Sequence, residues 1–126
     1  MDKTAKEVLK AARNLLSRRN AWMQGDLWDV DKKSFCAIGA LDHINGPNER
    51  KAIKILAKSI AKAHPSFTRE YVNGRYYLDD SSELMEEIEV SDDVPREFVI
   101  AYNDTINRKK SDVLKAFDKA IENVGD

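Results

Sequence analysis

The stretch SFCAIGALDHINGP, residues 34–47, decides how the first half of this chain folds. It contains the only cysteine of the sequence, Cys36, surrounded by small residues. Its larger apolar residues recur at helical spacing, and Asn45-Gly46 tolerates the left-handed backbone that ends a helix. The stretch therefore predicts a helix over roughly residues 33–44, with a narrow face that suits close packing.

Cys36 allows two interpretations. In the first turn of the predicted helix, backbone N–H groups and the helix dipole would lower the pKa of a thiol, as a nucleophile requires. His43 or His64 would then be the base, although seven helical residues place His43 about 10 Å from the cysteine along the axis. Asn103 or Asp104 would orient the base. The alternative, which we favour, is that Cys36 packs as a small buried residue.

Helices predominate on both sides of this stretch. Thr4 and Glu7 have the spacing of a capping box, followed by an apolar stripe that ends near residues 18–19. Apolar periodicity predicts four further helices. The first ends near Ala63, the second lies within the acidic segment 79–93, the third runs from Val94 to Tyr102, and the last begins at Ser111.

Two segments depart from helical periodicity. In TREYVNGRYYL, residues 68–78, Asn73-Gly74 separates two runs of β-branched and aromatic residues, which predicts a β-hairpin with a type I′ turn. Residues 20–33 contain Trp22 and Trp28 around a Gly-Asp turn signal, which fits either a short hairpin or an ordered loop whose tryptophans pack on the core. The predicted fold is mainly α (α+β), a compact bundle of about five or six helices with one small β-hairpin.

Composition limits the possible classes of protein. A chain of 126 residues is expected to form a single globular domain, residues 1–126. The net charge of −1 gives no general attraction to nucleic acid, and no stretch approaches the ~20 apolar residues of a membrane span. One cysteine excludes an internal disulfide, so we expect a cytoplasmic protein. Neither metal-ligand spacing nor a phosphate-binding glycine loop is present, and we therefore expect no metal and no cofactor.

Charged residues are unevenly distributed. Lys51, Lys54, Lys58 and Lys62 follow helical spacing and are typical of the solvent side of an amphipathic helix. Segment 79–93 has many acidic side chains and no basic one, which fits a solvated face or a surface for a basic partner.

Three motifs carry a family resemblance: Cys-x-x-Gly-Ala-Leu at 36–41, Tyr-Asn-Asp at 102–104, and VLKAFDKAI at 113–121. In these the chain resembles a family of small, largely uncharacterised proteins from bacteria and their phages. The motifs lie towards the two ends of the chain, so the resemblance implies that residues 66–93, the hairpin and the acidic segment, are a family-variable insertion. The family brings no established activity to carry over, and its phage members raise the prospect of an accessory protein that blunts a host defence.

The sequence therefore favours a non-enzymatic binding protein, such as a phage-type accessory or anti-defence inhibitor that binds a host protein or sequesters a small molecule. The hairpin could also support a homodimer. The predicted binding residues combine aromatic side chains, which are frequent interface anchors, with a polar pair at a helix end: Trp22, Trp28, Tyr71, Tyr76, Tyr77, Asn103 and Asp104. The alternative is a thiol-dependent hydrolase or transferase that uses Cys36, His43 and Asp104.

Overall fold

The computed structural model describes residues 3–31, 33–74 and 81–124 of the chain. Within them the backbone forms seven helices and no sheet. The helices are α1 (Ala5–Ser17), α2 (Ala37–Ile44), α3 (Glu49–Ala63), α4 (Pro65–Asn73), α5 (Ser81–Val90), α6 (Asp93–Asn103) and α7 (Lys110–Asn123). None of these described helices is long and apolar enough to span a membrane. The mainly helical bundle is confirmed, with more helices than the sequence predicted.

The central helix is α3, which packs against every other helix of the bundle. Its inward residues Ala52, Leu56 and Ile60 are buried, and their four-residue spacing forms one apolar stripe. The first helix begins with the predicted capping box, since Glu7 N–H donates to Thr4 Oγ1 at 3.1 Å and Thr4 N–H donates to Glu7 Oε1 at 3.0 Å. Periodicity and caps therefore identified the helices that enclose the core.

The segment between α1 and α2, hereafter the tryptophan loop, is an ordered loop and not a hairpin. Phe35 forms isolated bridges with both Trp22 and Trp28, one parallel and one antiparallel. Because the backbone of Phe35 is engaged in these bridges, α2 begins at Ala37 and not near residue 33, as the apolar spacing predicts.

The predicted hairpin is wrong in its first half. Residues 65–73 form helix α4, with Pro65 in the first turn, where its missing N–H costs no hydrogen bond. Thr68 and Val72, four residues apart, are both buried on one side of that helix. Their burial requires a period near 3.6 residues, which overrides the β propensity of the individual side chains. The second half of the predicted hairpin, residues 75–78, lies outside the described residues.

Residues of α3 and of the acidic segment form ion pairs and hydrogen bonds with each other at the surface. Lys54 Nζ donates to the carbonyl oxygen of Glu89 at the end of α5, and Lys58 forms an ion pair with the Glu89 carboxylate. Arg50 pairs with Asp92 at 3.3 Å. These contacts place positive side chains at the carboxyl end of α5, where they complement its dipole.

Gly39 allows the tryptophan loop to cross α2 at very short range. A Cβ atom at this position would overlap the backbone carbonyl oxygen of Leu27. That same carbonyl accepts a hydrogen bond from Cys36 N–H at 3.0 Å, so the crossing is fixed by backbone atoms on both sides. Only glycine fits this position.

We expect Gly39→Ala to lower the free energy of unfolding by about 3 kcal/mol, because the added methyl group must displace backbone and not a flexible side chain. Urea denaturation followed by circular dichroism measures the change. Gly74→Ala is the matched control, since its Cβ would meet neighbouring atoms only at 3.6 Å, and it should change stability by less than about 0.5 kcal/mol. Equal losses in both variants would contradict the close crossing.

Candidate functional site

The buried side chain of Asn103, at the end of α6, connects three parts of the fold. Its Oδ1 accepts from Trp22 Nε1 at 2.7 Å and from Ala37 N–H, the first residue of α2, at 3.0 Å. Its Nδ2 donates to the carbonyl oxygen of Met23 at 3.0 Å and to Asp104 Oδ1 at 2.9 Å. Both lone pairs and both protons of the amide are therefore used, which is the condition for burying it.

Neighbouring polar groups extend the same network. Asp104 Oδ1 also accepts from Gly25 N–H at 3.1 Å. Gln24 Nε2 donates to the carbonyl oxygens of Asn103 and Thr105, at 2.9 Å and 3.0 Å. The structure thus brings together three predicted binding residues, Trp22, Asn103 and Asp104, and engages all of them in holding the tryptophan loop.

Cys36 lies at the N-cap of α2 and is 1% exposed. Its Sγ accepts a hydrogen bond from Gly39 N–H at 3.3 Å. Burial raises the pKa of the thiol above its usual value, although the hydrogen bond from Gly39 acts in the opposite direction. This environment favours the packing role, because a nucleophilic cysteine needs access and a lowered pKa.

The other members of the alternative catalytic set have separate surroundings. His43 is exposed, and its ring packs on Phe35 with 4.9 Å between the ring centroids. His64 instead contacts Tyr102, with His64 Nε2 and Tyr102 Oη 3.2 Å apart. Asp104 is occupied by Gly25 and Asn103, as described above.

An exposed surface lies where the tryptophan loop passes α2. Trp28 is 36% exposed and, with Asp42, His43 and Asn45, lines a shallow cavity of about 220 Å³. Two residues further along the loop, Val30 is 98% exposed. We call Trp28, Val30 and His43 the loop face.

Tyr71, another of the predicted binding residues, does not belong to this face. Tyr71 is partly buried in a cluster of rings, 5.0 Å from Phe98 and 6.3 Å from Phe67 between centroids. Tyr76 and Tyr77 lie outside the described residues.

A charged cluster beside the loop face was not found from the sequence. Arg96 of α6 forms two parallel hydrogen bonds to Asp42 of α2, from Nη1 to Oδ1 at 2.8 Å and from Nη2 to Oδ2 at 2.9 Å. Arg96 Nη1 also lies 3.6 Å from Glu49 Oε2, at the start of α3. The sequence separation of Asp42 and Arg96 gives no local signal for such a pair.

The two carboxylates of this cluster have opposite pKa shifts. Burial and the neighbouring Asp42 carboxylate raise the pKa of Glu49 to about 7, against the lowering influence of Arg96. For Asp42, burial is the largest single influence and raises the pKa, but the hydrogen bonds with Arg96 and Glu49 and the charge of Arg96 together hold the pKa below its usual range. Glu49 therefore carries a proton over much of the range in which Asp42 is ionised.

No group of three or more histidine, cysteine or acidic side chains within residues 3–31, 33–74 and 81–124 is arranged to hold a metal ion. The fold is that of a small helical protein in which buried polar groups fix the tryptophan loop to helix ends. Residues 1–123 match the family described as "Family of unknown function (DUF6197)", and the chain belongs to that family. No curated protein and no solved structure matches the chain.

We expect Asn103→Asp to lower the free energy of unfolding by about 3 kcal/mol at pH 7. The carboxylate would place an oxygen against Met23 O and Asp104 Oδ1, where the amide now donates. Urea denaturation followed by tryptophan fluorescence reports both global stability and the surroundings of Trp22. Asn14→Asp makes the same chemical change on an exposed part of α1 and should cost less than about 0.5 kcal/mol. A stable Asn103→Asp variant with unchanged fluorescence would refute the role of the amide.

Glu49→Gln should stabilise the protein increasingly as the pH rises from 5 to 8. The folded-state pKa of Glu49, about 7, lies above the unfolded value of about 4.3. The protonated form therefore favours folding, and this contribution is lost as the pH rises through 7. Glutamine mimics the protonated form throughout, so the Tm difference between variant and parent should already be measurable at pH 5, grow by a few degrees towards pH 7 and level off by pH 8.

Thermal unfolding at several pH values measures that difference. Glu86→Gln, on the exposed side of α5, should give a difference that does not change with pH. A flat profile for Glu49→Gln would show that the Glu49 carboxyl titrates near its ordinary value.

Proposed function

We propose that this protein is a non-enzymatic binding protein that holds a protein partner through the loop face. The observation that carries the proposal is that exposed apolar side chains stand on a loop whose backbone is rigidly held. Binding residues often lie on loops that a rigid scaffold positions, because a preordered loop loses little entropy on binding.

Hydrogen bonds hold the loop on both sides of Trp28. Phe35 N–H donates to Ala21 O at 2.7 Å, and Met23 N–H donates to Phe35 O at 3.0 Å. At the tip, the Asp29 carboxylate accepts from the backbone N–H groups of Lys33 at 2.7 Å and Ser34 at 3.3 Å. The side chain of Val30 thus projects from a closed turn.

The chemistry of the loop face suits a protein partner with a small apolar pocket. Trp28 offers a large surface with few rotamers to lose, and tryptophan is enriched among the residues that dominate binding energy. Val30 would fill a pocket, while His43 and Asn45 can supply polar contacts at the rim. The family resemblance suggests a host protein as the partner of a phage-type accessory or inhibitor that acts in the cytoplasm.

Affinity purification of tagged protein from its native cells, with quantitative mass spectrometry, tests the proposal. We expect a partner that the parent protein retains and that Trp28→Ala and Val30→Asp each reduce at least about tenfold, the effect of losing an interface anchor. Val90→Asp changes another exposed valine, 77% accessible at the end of α5, and should retain the partner. Circular dichroism of each variant establishes that it is folded.

The purified partner then gives the affinity by titration calorimetry. Equal retention by all variants would refute the loop face as the binding surface. Rapid labelling of Cys36 in the folded protein, or turnover of a thioester or ester substrate that Cys36→Ser abolishes, would favour the thiol-dependent enzyme instead.

A further inference from the structure

A second cavity, of about 230 Å³, lies between α3 and α7, and no residue of the tryptophan loop lines it. Its apolar wall comes from Ile60 and Ala63 of α3 and Ala116 of α7. Alanine carries only a methyl group, so Ala63 and Ala116 leave a gap that larger side chains would fill. The cavity is therefore a consequence of which residues face each other across two packed helices.

One wall of the cavity is polar and firmly positioned. Tyr102 Oη lies 3.2 Å from His64 Nε2 and 3.4 Å from the carbonyl oxygen of Asp112. On the ring of Tyr102, the guanidinium carbon of Arg108 lies 3.8 Å from the centroid, and Arg108 Nε donates to Tyr102 O at 2.9 Å. Contacts on both its hydroxyl and its ring thus fix Tyr102 in the wall of the cavity.

The mouth of the cavity has an excess of positive charge. Lys115 and Lys119 stand four residues apart on the exposed face of α7, and neither forms an ion pair with any described residue. Asp112 is the one carboxylate in the lining, and its Oδ2 already accepts a hydrogen bond from Lys109 N–H at 3.0 Å. Burial and nearby Arg108 lower the pKa of His64, which favours its neutral ring.

We propose that this cavity binds a small organic monocarboxylate with a single ring or a short branched apolar body. The apolar wall takes the body, and the ammonium groups of Lys115 and Lys119 take the carboxylate. At about 230 Å³, the space is smaller than the ~300–1,000 Å³ typical of drug-sized ligands, which limits the ligand to about one ring. A phosphate would leave the apolar wall unused. This site is independent of the protein-binding function proposed above.

Titration of ¹⁵N-labelled protein with benzoate, followed by amide chemical shifts, tests the proposal. We expect saturable shifts at residues 60–64 and 112–119, with a Kd of about 1 mM for so small a ligand. Benzyl alcohol keeps the ring without the charge, and inorganic phosphate keeps a charge without the ring. Both should bind at least about tenfold more weakly.

Two sets of variants separate charge from shape. The double variant Lys115→Gln/Lys119→Gln should weaken benzoate binding at least about tenfold. Lys10→Gln/Lys51→Gln removes two lysines outside the cavity lining and should leave the Kd unchanged. Ala116→Leu should abolish binding by filling the space, and the lysine variants decide the question if that substitution prevents folding.

Three results would overturn the proposal. The first is the absence of saturable shifts with benzoate at several times the expected Kd. The second is benzyl alcohol or phosphate binding as tightly as benzoate. The third is benzoate binding that the double lysine variant does not weaken.

Discussion

The fold depends on one buried amide. Asn103 ends α6, and its four hydrogen bonds reach the tryptophan loop twice, the first residue of α2, and its own neighbour Asp104. An amide buried without partners would cost several kcal/mol, whereas a fully bonded one specifies a single arrangement of the groups around it. The position of the loop and the start of α2 are therefore set together.

A second constraint acts beside the first, at the crossing of Leu27 over Gly39. The absence of a side chain at Gly39 lets the loop carbonyl approach α2, and Cys36 N–H bonds to that same carbonyl. The thiol of Cys36 then caps the helix by accepting from Gly39 N–H. The Cys-x-x-Gly motif thus has a complete structural explanation: one residue caps the helix, and the other makes room for the loop.

The two proposed binding surfaces differ in their chemistry. The loop face exposes Trp28 and Val30 from a fixed backbone, which suits a preformed surface for a protein. The α3–α7 cavity combines an apolar wall with Lys115 and Lys119 at its mouth, which suits a small anion. Neither surface uses the cysteine, because the fold places its thiol inside.

The sequence by itself determined the helices of the bundle other than α4, the capping box at Thr4 and Glu7, and the left-handed end of α2 at Asn45. These features depend on neighbours within one or two helical turns, so local spacing encodes them. The first half of the hairpin prediction was wrong because Thr68 and Val72 have β propensity as individual residues. Their four-residue spacing indicates a helix only once packing against the core has buried both side chains.

Only the tertiary structure decided the partners of Asn103, the pairing of Arg96 with Asp42, and the exposure of Trp28. Asn103 meets partners 66 to 81 positions away, and no local pattern specifies which distant backbone groups will meet a buried amide.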